Sequence, residues 1–370
     1  MTRSRGISCP RMRLRQEGFR AMMPSQRSDV RVKGMNRMRR FFQTIPTAAS
    51  LLICAGPSTA QELWFEDNNM ATGAGMAPDF KKQFMQPDTW KEARRHMDVY
   101  FMRANTLMAR KNDITDDFLR RHFVPVLRRS RIAIALDVQG GTWMSASKQQ
   151  SGTVKREIEL IRKLRKYGGD VRYLSLQSVL SKPLRAKGKT KPYPMEQRYK
   201  DIQLYMTLVK REFPRIKIGI VCALPTHNKD YRKAYKGLKD HLAKSRLAID
   251  HIDLDVPCEY PDKKGNGMSW RKVKEVEDYV RKEIGCEFGL ICTSREAGYK
   301  SDEAYHNAVM STLPSYAKVG GSPDRYLIMS WFPHPKTSIP DTATGASYPV
   351  MRTVLEFGRK LETMKAGKRK

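Results

Sequence analysis

From Gln61 onward, short runs of β-branched and apolar residues alternate with longer stretches in which apolar positions return every third or fourth residue. Strand-like runs begin near Glu62, Asp98, Arg131, Val171, Ile216, Ile249, Glu287 and Asp324. Their spacings of 36, 33, 40, 45, 33, 38 and 37 residues each leave room for one helix and two loops. Strand and helix repeated eight times at near-constant period predict parallel strands joined by right-handed crossovers, closed into a (β/α)8 TIM barrel. An open doubly wound sheet would need a glycine-rich phosphate turn after the first strand, which Asn68 to Gly75 does not offer.

The helical stretches agree. Val154, Ile158, Ile161 and Leu164 form one apolar stripe, and Gly168-Gly169 follows as a stop. Similar stripes run through Val273, Val276, Val280 and Ile284, and through Phe118, Phe123, Val126 and Leu127. Ser301 before Asp302 and Glu303 reads as an N-cap with an acidic first turn.

A strand alternates its faces, so parity separates side chains facing the helices from those inside the barrel. With Ile132, Ile134, Leu136 and Val138 outward, Asp137 points inward at the carboxyl end of its strand. With Ile252, Leu254 and Val256 outward, His251, Asp253 and Asp255 lie inside, His251 as a core histidine near the strand start. With Leu174 and Leu176 outward, Tyr173, Ser175 and Gln177 lie within. An inward carboxylate in a packed barrel costs several kcal/mol unless it is paired or solvated, which places a wet pocket at the carboxyl ends of the strands. Pairing of Asp137 or Asp255 with Arg131 or Arg295, or capping of a loop, is the competing reading.

The loops beyond those ends carry Gly140-Gly141-Thr142-Trp143, Pro257-Cys258-Glu259-Tyr260, Ser294-Arg295-Glu296 and Trp331-Phe332-Pro333-His334. Aromatic rings offer flat faces to sugar rings, and carboxylates and Arg bond their hydroxyls. Lys182, Arg185, Lys187, Lys189 and Lys191 make the loop after the fourth strand strongly basic, for an anionic chain or for plain solvation.

Composition sets the remaining bounds. The chain has 370 residues, with 40% hydrophobic and 29% charged, enough to bury a core. Its net charge is +32. Residues 1–60 hold twelve of the positive side chains and two of the negative, so the chain from residue 61 keeps +22. That excess suits a polyanion, an acidic polysaccharide above all, or serves solubility alone. Residues 1–34 read as a disordered or over-extended leader. Residues 35–60 read as a signal peptide with Arg37, Arg39 and Arg40, an apolar run from Phe41 to Ala55, and cleavage after Ala60. Lipid attachment at Cys54 is disfavoured by the bulk of Ile53. The protein is therefore expected to be secreted or periplasmic, with a barrel domain over 61–364, a disordered basic tail over 365–370 and no span across a membrane. Cys222, Cys258, Cys286 and Cys292 would remain, as disulfides or as buried thiols. The seven histidines are scattered and no zinc spacing occurs, so neither metal nor cofactor is expected.

A barrel with a secretory signal, acidic strand tips and Trp331 after the eighth strand resembles the (β/α)8 glycoside hydrolases. The resemblance implies a carboxylate pair acting on a glycosidic bond. The large retaining clan carries its acid Glu at the fourth strand tip, where this chain has Leu176-Gln177, and an amide cannot act as a general acid. The pair then comes from Asp255 or Glu259 with Glu296, while Asp137, Trp143, Gln177, Arg295, Trp331 and His334 hold the sugar. A non-catalytic carbohydrate-binding barrel stays open beside it. A nucleic-acid binder rests on charge alone, without a recognition motif.

Overall fold

The computed structural model describes residues 61–67, 76–108, 114–140, 142, 148–181, 184–186, 189–191, 193–224, 230–261 and 267–367; for 148–151, 184–186 and 189–191 it describes only the backbone. The expected signal peptide and leader, Trp143 and the side chains of the basic loop fall outside the described residues.

Eight parallel strands close into a barrel: β1 (Glu62–Glu66), β2 (Val99–Arg103), β3 (Ala133–Val138), β4 (Val171–Gln177), β5 (Lys217–Ala223), β6 (His251–Asp255), β7 (Glu287–Cys292) and β8 (Arg325–Met329). Each starts within two residues of its expected position. β8 closes on β1 through the register Glu62↔Arg325 to Glu66↔Met329. A two-stranded antiparallel hairpin, residues 184–186 with 189–191, stands on the loop after β4.

The outer helices pack as their stripes require. Val154, Ile161 and Leu164 are buried along the helix Lys148–Lys166, which ends where Gly168 takes a φ of +90°. Gly168 has no Cβ to clash there, which explains the stop. Ser301 caps its helix, accepting the Ala304 N–H at 3.0 Å. The last helix, Val350–Gly367, runs into the segment read as a disordered tail, because Lys365 reaches back to the Gln61 carbonyl at 2.6 Å. Cys222, Cys258, Cys286 and Cys292 are free thiols; burial raises the first three toward the top of the thiol range, each to about 12 for Cys222, Cys258 and Cys286, so they sit as inert core residues.

A repeated device fixes the amino-terminal end of the barrel. Asp98, Asp250 and Asp324 directly precede β2, β6 and β8. Asp98 accepts the Leu63 N–H at 2.8 Å, Asp250 that of Ile218 at 2.7 Å and Asp324 that of Phe288 at 2.8 Å. Each satisfies a donor that the neighbouring strand leaves open at its start.

Inside, the parity reading holds. Trp64, Phe101, Ala133, Ala135, Tyr173, Val221, Ile291, Leu327 and Met329 form an inner core, while Ile134, Leu136, Leu174, Leu176, Ile252 and Leu254 belong to the layer beneath the helices. The inner floor is ionic. Arg325, 1% exposed, lies 3.1 Å from Asp253 and 2.9 Å from Glu287, with its guanidinium 4.4 Å above the Trp64 ring. Ser175 bridges His251 at 3.0 Å and Asp253 at 3.3 Å. Burial first, then Arg325 and Lys217, hold His251 far below its ordinary value, so it is neutral. Gly219 and Gly289 make the room: a Cβ at Gly219 would meet the His251 ring at 2.1 Å, and one at Gly289 would meet Asp253 at 2.2 Å.

Candidate active site at the barrel mouth

Because side chains repeat every two residues, the strands that place Trp64, Ala135 and Asp253 inside also bring Glu66, Asp137 and Asp255 inward at their carboxyl ends. Arg103 joins them from β2, in register with Asp137 on β3. Its Nε lies 3.5 Å from Asp137 Oδ2.

The electrostatics follow from this crowding. Glu66 is 2% exposed, its Oε1 accepts no hydrogen bond, and its carboxyl is pushed well above the usual range. Burial is the main cause; Asp137, Asp67 and Asp255 add to it and Arg103 opposes it. Burial, then the charge of Glu259, pushes Asp255 up to about 7, and its Oδ1 is a buried atom without a hydrogen-bond partner. Asp67 also rises to about 7 through burial, although it accepts the Ala77 N–H at 2.8 Å and the Tyr100 hydroxyl at 3.4 Å. Behind Asp137, Glu157 of the helix Lys148–Lys166 is fully buried and raised to about 7 by burial, while it accepts the Gln139 N–H at 3.0 Å. Glu66 and Asp255 at the strand tips, with Asp67 and Glu157 behind them, thus keep their protons to a higher pH than ordinary carboxyls do.

Glu259 sits in the turn after β6. Its Oε1 accepts the N–H groups of Arg295 and Glu296, both at 3.0 Å, at the start of the short helix Arg295–Gly298. Arg295 and Glu296 themselves are exposed. The strand alternation that would turn Arg295 inward stops at Ser294, whose Oγ accepts the Ala297 N–H and starts that helix. Gln177 lies half-buried at the β4 tip. Trp331 is partly buried and packs against the inner core. His334 is bound by its Nδ1 to Asp302 and by its N–H to the Gly298 carbonyl at 3.0 Å, which makes it part of the loop framework.

Parity therefore places Asp137 and Asp255 inward at the same end of the barrel, and the structure adds Glu66, Asp67, Arg103 and Glu157, which the sequence reading did not single out. The same alternation would have found Glu66 and Arg103, since Trp64 and Phe101 stand two residues before them. Glu157 gives no such signal, because its helix is rich in charged residues. Among the described residues, no three His, Cys, Asp or Glu side chains converge to hold a metal ion, and no helix is long and apolar enough to cross a membrane.

No family model matches the chain, and no curated protein matches it. Solved structures similar to it include the catalytic domain of beta-amylase from Paenibacillus polymyxa, with a TM-score of 0.45 and 9% identity over 80% of this chain and 98% of that one. D-psicose 3-epimerase solved in the presence of D-fructose gives a TM-score of 0.45 and 11% identity, over 82% and 98%. A family 1 β-glucosidase from Thermotoga maritima gives 0.42 and 12%, over 68% and 77%. A carboxyl transferase domain of Rhizobium etli pyruvate carboxylase is also among them. The likeness is one of fold alone.

Proposed function

We propose that this protein acts on carbohydrate as a glycoside hydrolase, with Asp255 as the general acid and Asp137 as the partner carboxylate. The observation that carries the reading is Asp255, a strand-tip carboxyl raised to about 7 whose inner oxygen has no hydrogen-bond partner. A general acid works best when its pKa lies near the operating pH. Arg103 beside Asp137 supplies the positive charge that an ionised partner needs.

In the step this implies, Asp255 gives its proton to the glycosidic oxygen as the bond to the sugar carbon breaks and the electron pair leaves with that oxygen. Asp137 then attacks the carbon, or takes a proton from the water that does; the separation of the two carboxyls on the bound sugar decides which. Trp331 offers its ring to the sugar face, and Gln177 and Glu66 offer bonds to hydroxyls. Glu259 orients the loop that carries Arg295 and Glu296, so we place Glu296 at the outer rim, where its contribution is to binding. A polysaccharide substrate, and secretion after cleavage near Ala60, complete the proposal and rest on the sequence alone.

The test is reducing-end release from a panel of neutral, amino and acidic glycans. Asp255→Asn and Asp137→Asn are each expected to lower kcat by about 100-fold or more, Glu296→Gln by less than about tenfold. Full activity in both Asp variants would remove the assignment, and retention of a glycan on a column without any release would favour a carbohydrate-binding barrel.

A further inference from the structure

Between the sheet and the helix layer, toward the amino-terminal end of the barrel, lies a cavity of about 140 Å³. Ile220 and Ile252 reach it from the outward face of β5 and β6, and Leu238 from the helix Tyr231–Ala243. Ile249 and Ile284, which precede β6 and β7, complete its apolar wall. All five side chains are buried. The rim differs from the wall. Ala243 and Gly285 are exposed there, and a Cβ on Gly285 would meet nothing, so the cavity opens to solvent on that side. Lys239 is the one charged side chain lining it among the described residues, and its Nζ donates to the Glu283 carbonyl.

Native interiors keep few voids larger than a water molecule, because atoms around an empty space lose their packing contacts. An apolar cavity of about 150 Å³ stays dry and accepts a molecule the size of benzene. We infer that this cavity binds the hydrocarbon chain of a medium-length alkyl carboxylate, about six carbons long, with the carboxylate at Lys239. An ammonium has three donors, and Lys239 uses one on the Glu283 carbonyl, so an anion at the rim meets a positive charge and two further N–H groups. A sugar ring would bring hydroxyls to a wall of isoleucine and leucine and leave them without partners. The site is therefore separate from the barrel mouth and does not depend on the carbohydrate-acting reading.

A closed cavity and an open apolar surface respond differently to chain length. Each methylene that leaves water strengthens binding by about fourfold, but only while the cavity has room for it. The test titrates the full chain with butanoate, hexanoate, octanoate, decanoate and hexylamine at about pH 7, where every head group is charged. Methyl NMR of Leu238, Ile252 and Ile284 reports occupancy. Affinity is expected to rise about fourfold per methylene from butanoate to hexanoate, while octanoate and decanoate bind within about threefold of each other. Hexanoate is expected to bind about threefold or more tighter than hexylamine, and Lys239→Met to remove that difference while keeping the dependence on chain length. Ala243→Trp, a change at an exposed rim position, is expected to weaken hexanoate at least about tenfold, with folding read from the same methyl spectrum. Lining methyls that stay unmoved in about 20 mM hexanoate, or affinity that keeps climbing fourfold per methylene through decanoate, would overturn the inference. Hexylamine binding as tightly as hexanoate, or unchanged hexanoate binding in folded Ala243→Trp, would overturn it as well.

Discussion

At the scale of single residues, the barrel interior shows how one charge depends on the small residues around it. Arg325 occupies the inner floor only because Gly289 leaves space beside Asp253, and its guanidinium answers both Asp253 and Glu287 while lying over Trp64. Asp253 is nonetheless raised to about 6, because burial outweighs the arginine. Replacing Arg325 by Met would leave Asp253 buried beside no cation. A loss of about 3–5 kcal/mol is expected in urea unfolding, typical of a broken buried pair. A loss below about 1 kcal/mol would mean that the pair is dispensable. No cation offsets the burial of Asp255, and the Arg103 charge that acts on Glu66 is shared with Asp137, which is why the strand tips, rather than the floor, carry the proposed chemistry.

At the scale of elements, Asp98, Asp250 and Asp324 act as pegs before β2, β6 and β8. Asp250 takes the Ile218 N–H and also lies 3.3 Å from Lys210 Nζ, tying the start of β5 to β6 and to the helix Met195–Glu212. Its side chain is partly exposed, so screening reduces the ionic share, and the hydrogen bond is the main contribution. Asp250→Ala is expected to cost about 1–2 kcal/mol in urea unfolding without altering glycan binding at the other end of the barrel. Loss of binding at unchanged stability would contradict the division of labour between the two ends. The strands themselves were legible in the sequence because β-branched runs at a regular spacing leave little choice of partner. Inward aspartates on β3 and β6 were legible because both strands alternate cleanly. Arg295 and Glu296 were not, because Ser294 ends the alternation by capping a helix of four residues, a local hydrogen bond that no periodicity announces. Glu259 was read as an acid, yet it accepts two backbone N–H groups across a turn, a contact 36 and 37 residues away in sequence.

At the scale of the whole molecule, a strongly basic protein closes around an acidic centre. Buried carboxyls at the strand tips thus stand against a net charge of +32 for the whole chain. Their burial also sets the response to pH. Glu66, Asp67, Glu157 and Asp255 all have raised carboxyls in the folded state, against ordinary values near 4 in the unfolded chain. For Asp67, Glu157 and Asp255 the stabilising contribution is full below about pH 4, falls as the unfolded chain alone ionises, and is gone once pH passes about 7, where the folded groups ionise too; Glu66 contributes with the same sign. Melting should accordingly occur several degrees higher at about pH 5 than at about pH 8. The most direct measurement is an infrared titration of the protonated-carboxyl C=O band on the folded protein, wild type against Asp255→Asn. A band that persists to about pH 7 and loses one component in the variant is the expected result. Complete disappearance of the band by about pH 5 in the wild type would mean that the mouth holds ordinary ionised carboxylates and no acid ready to protonate a leaving group.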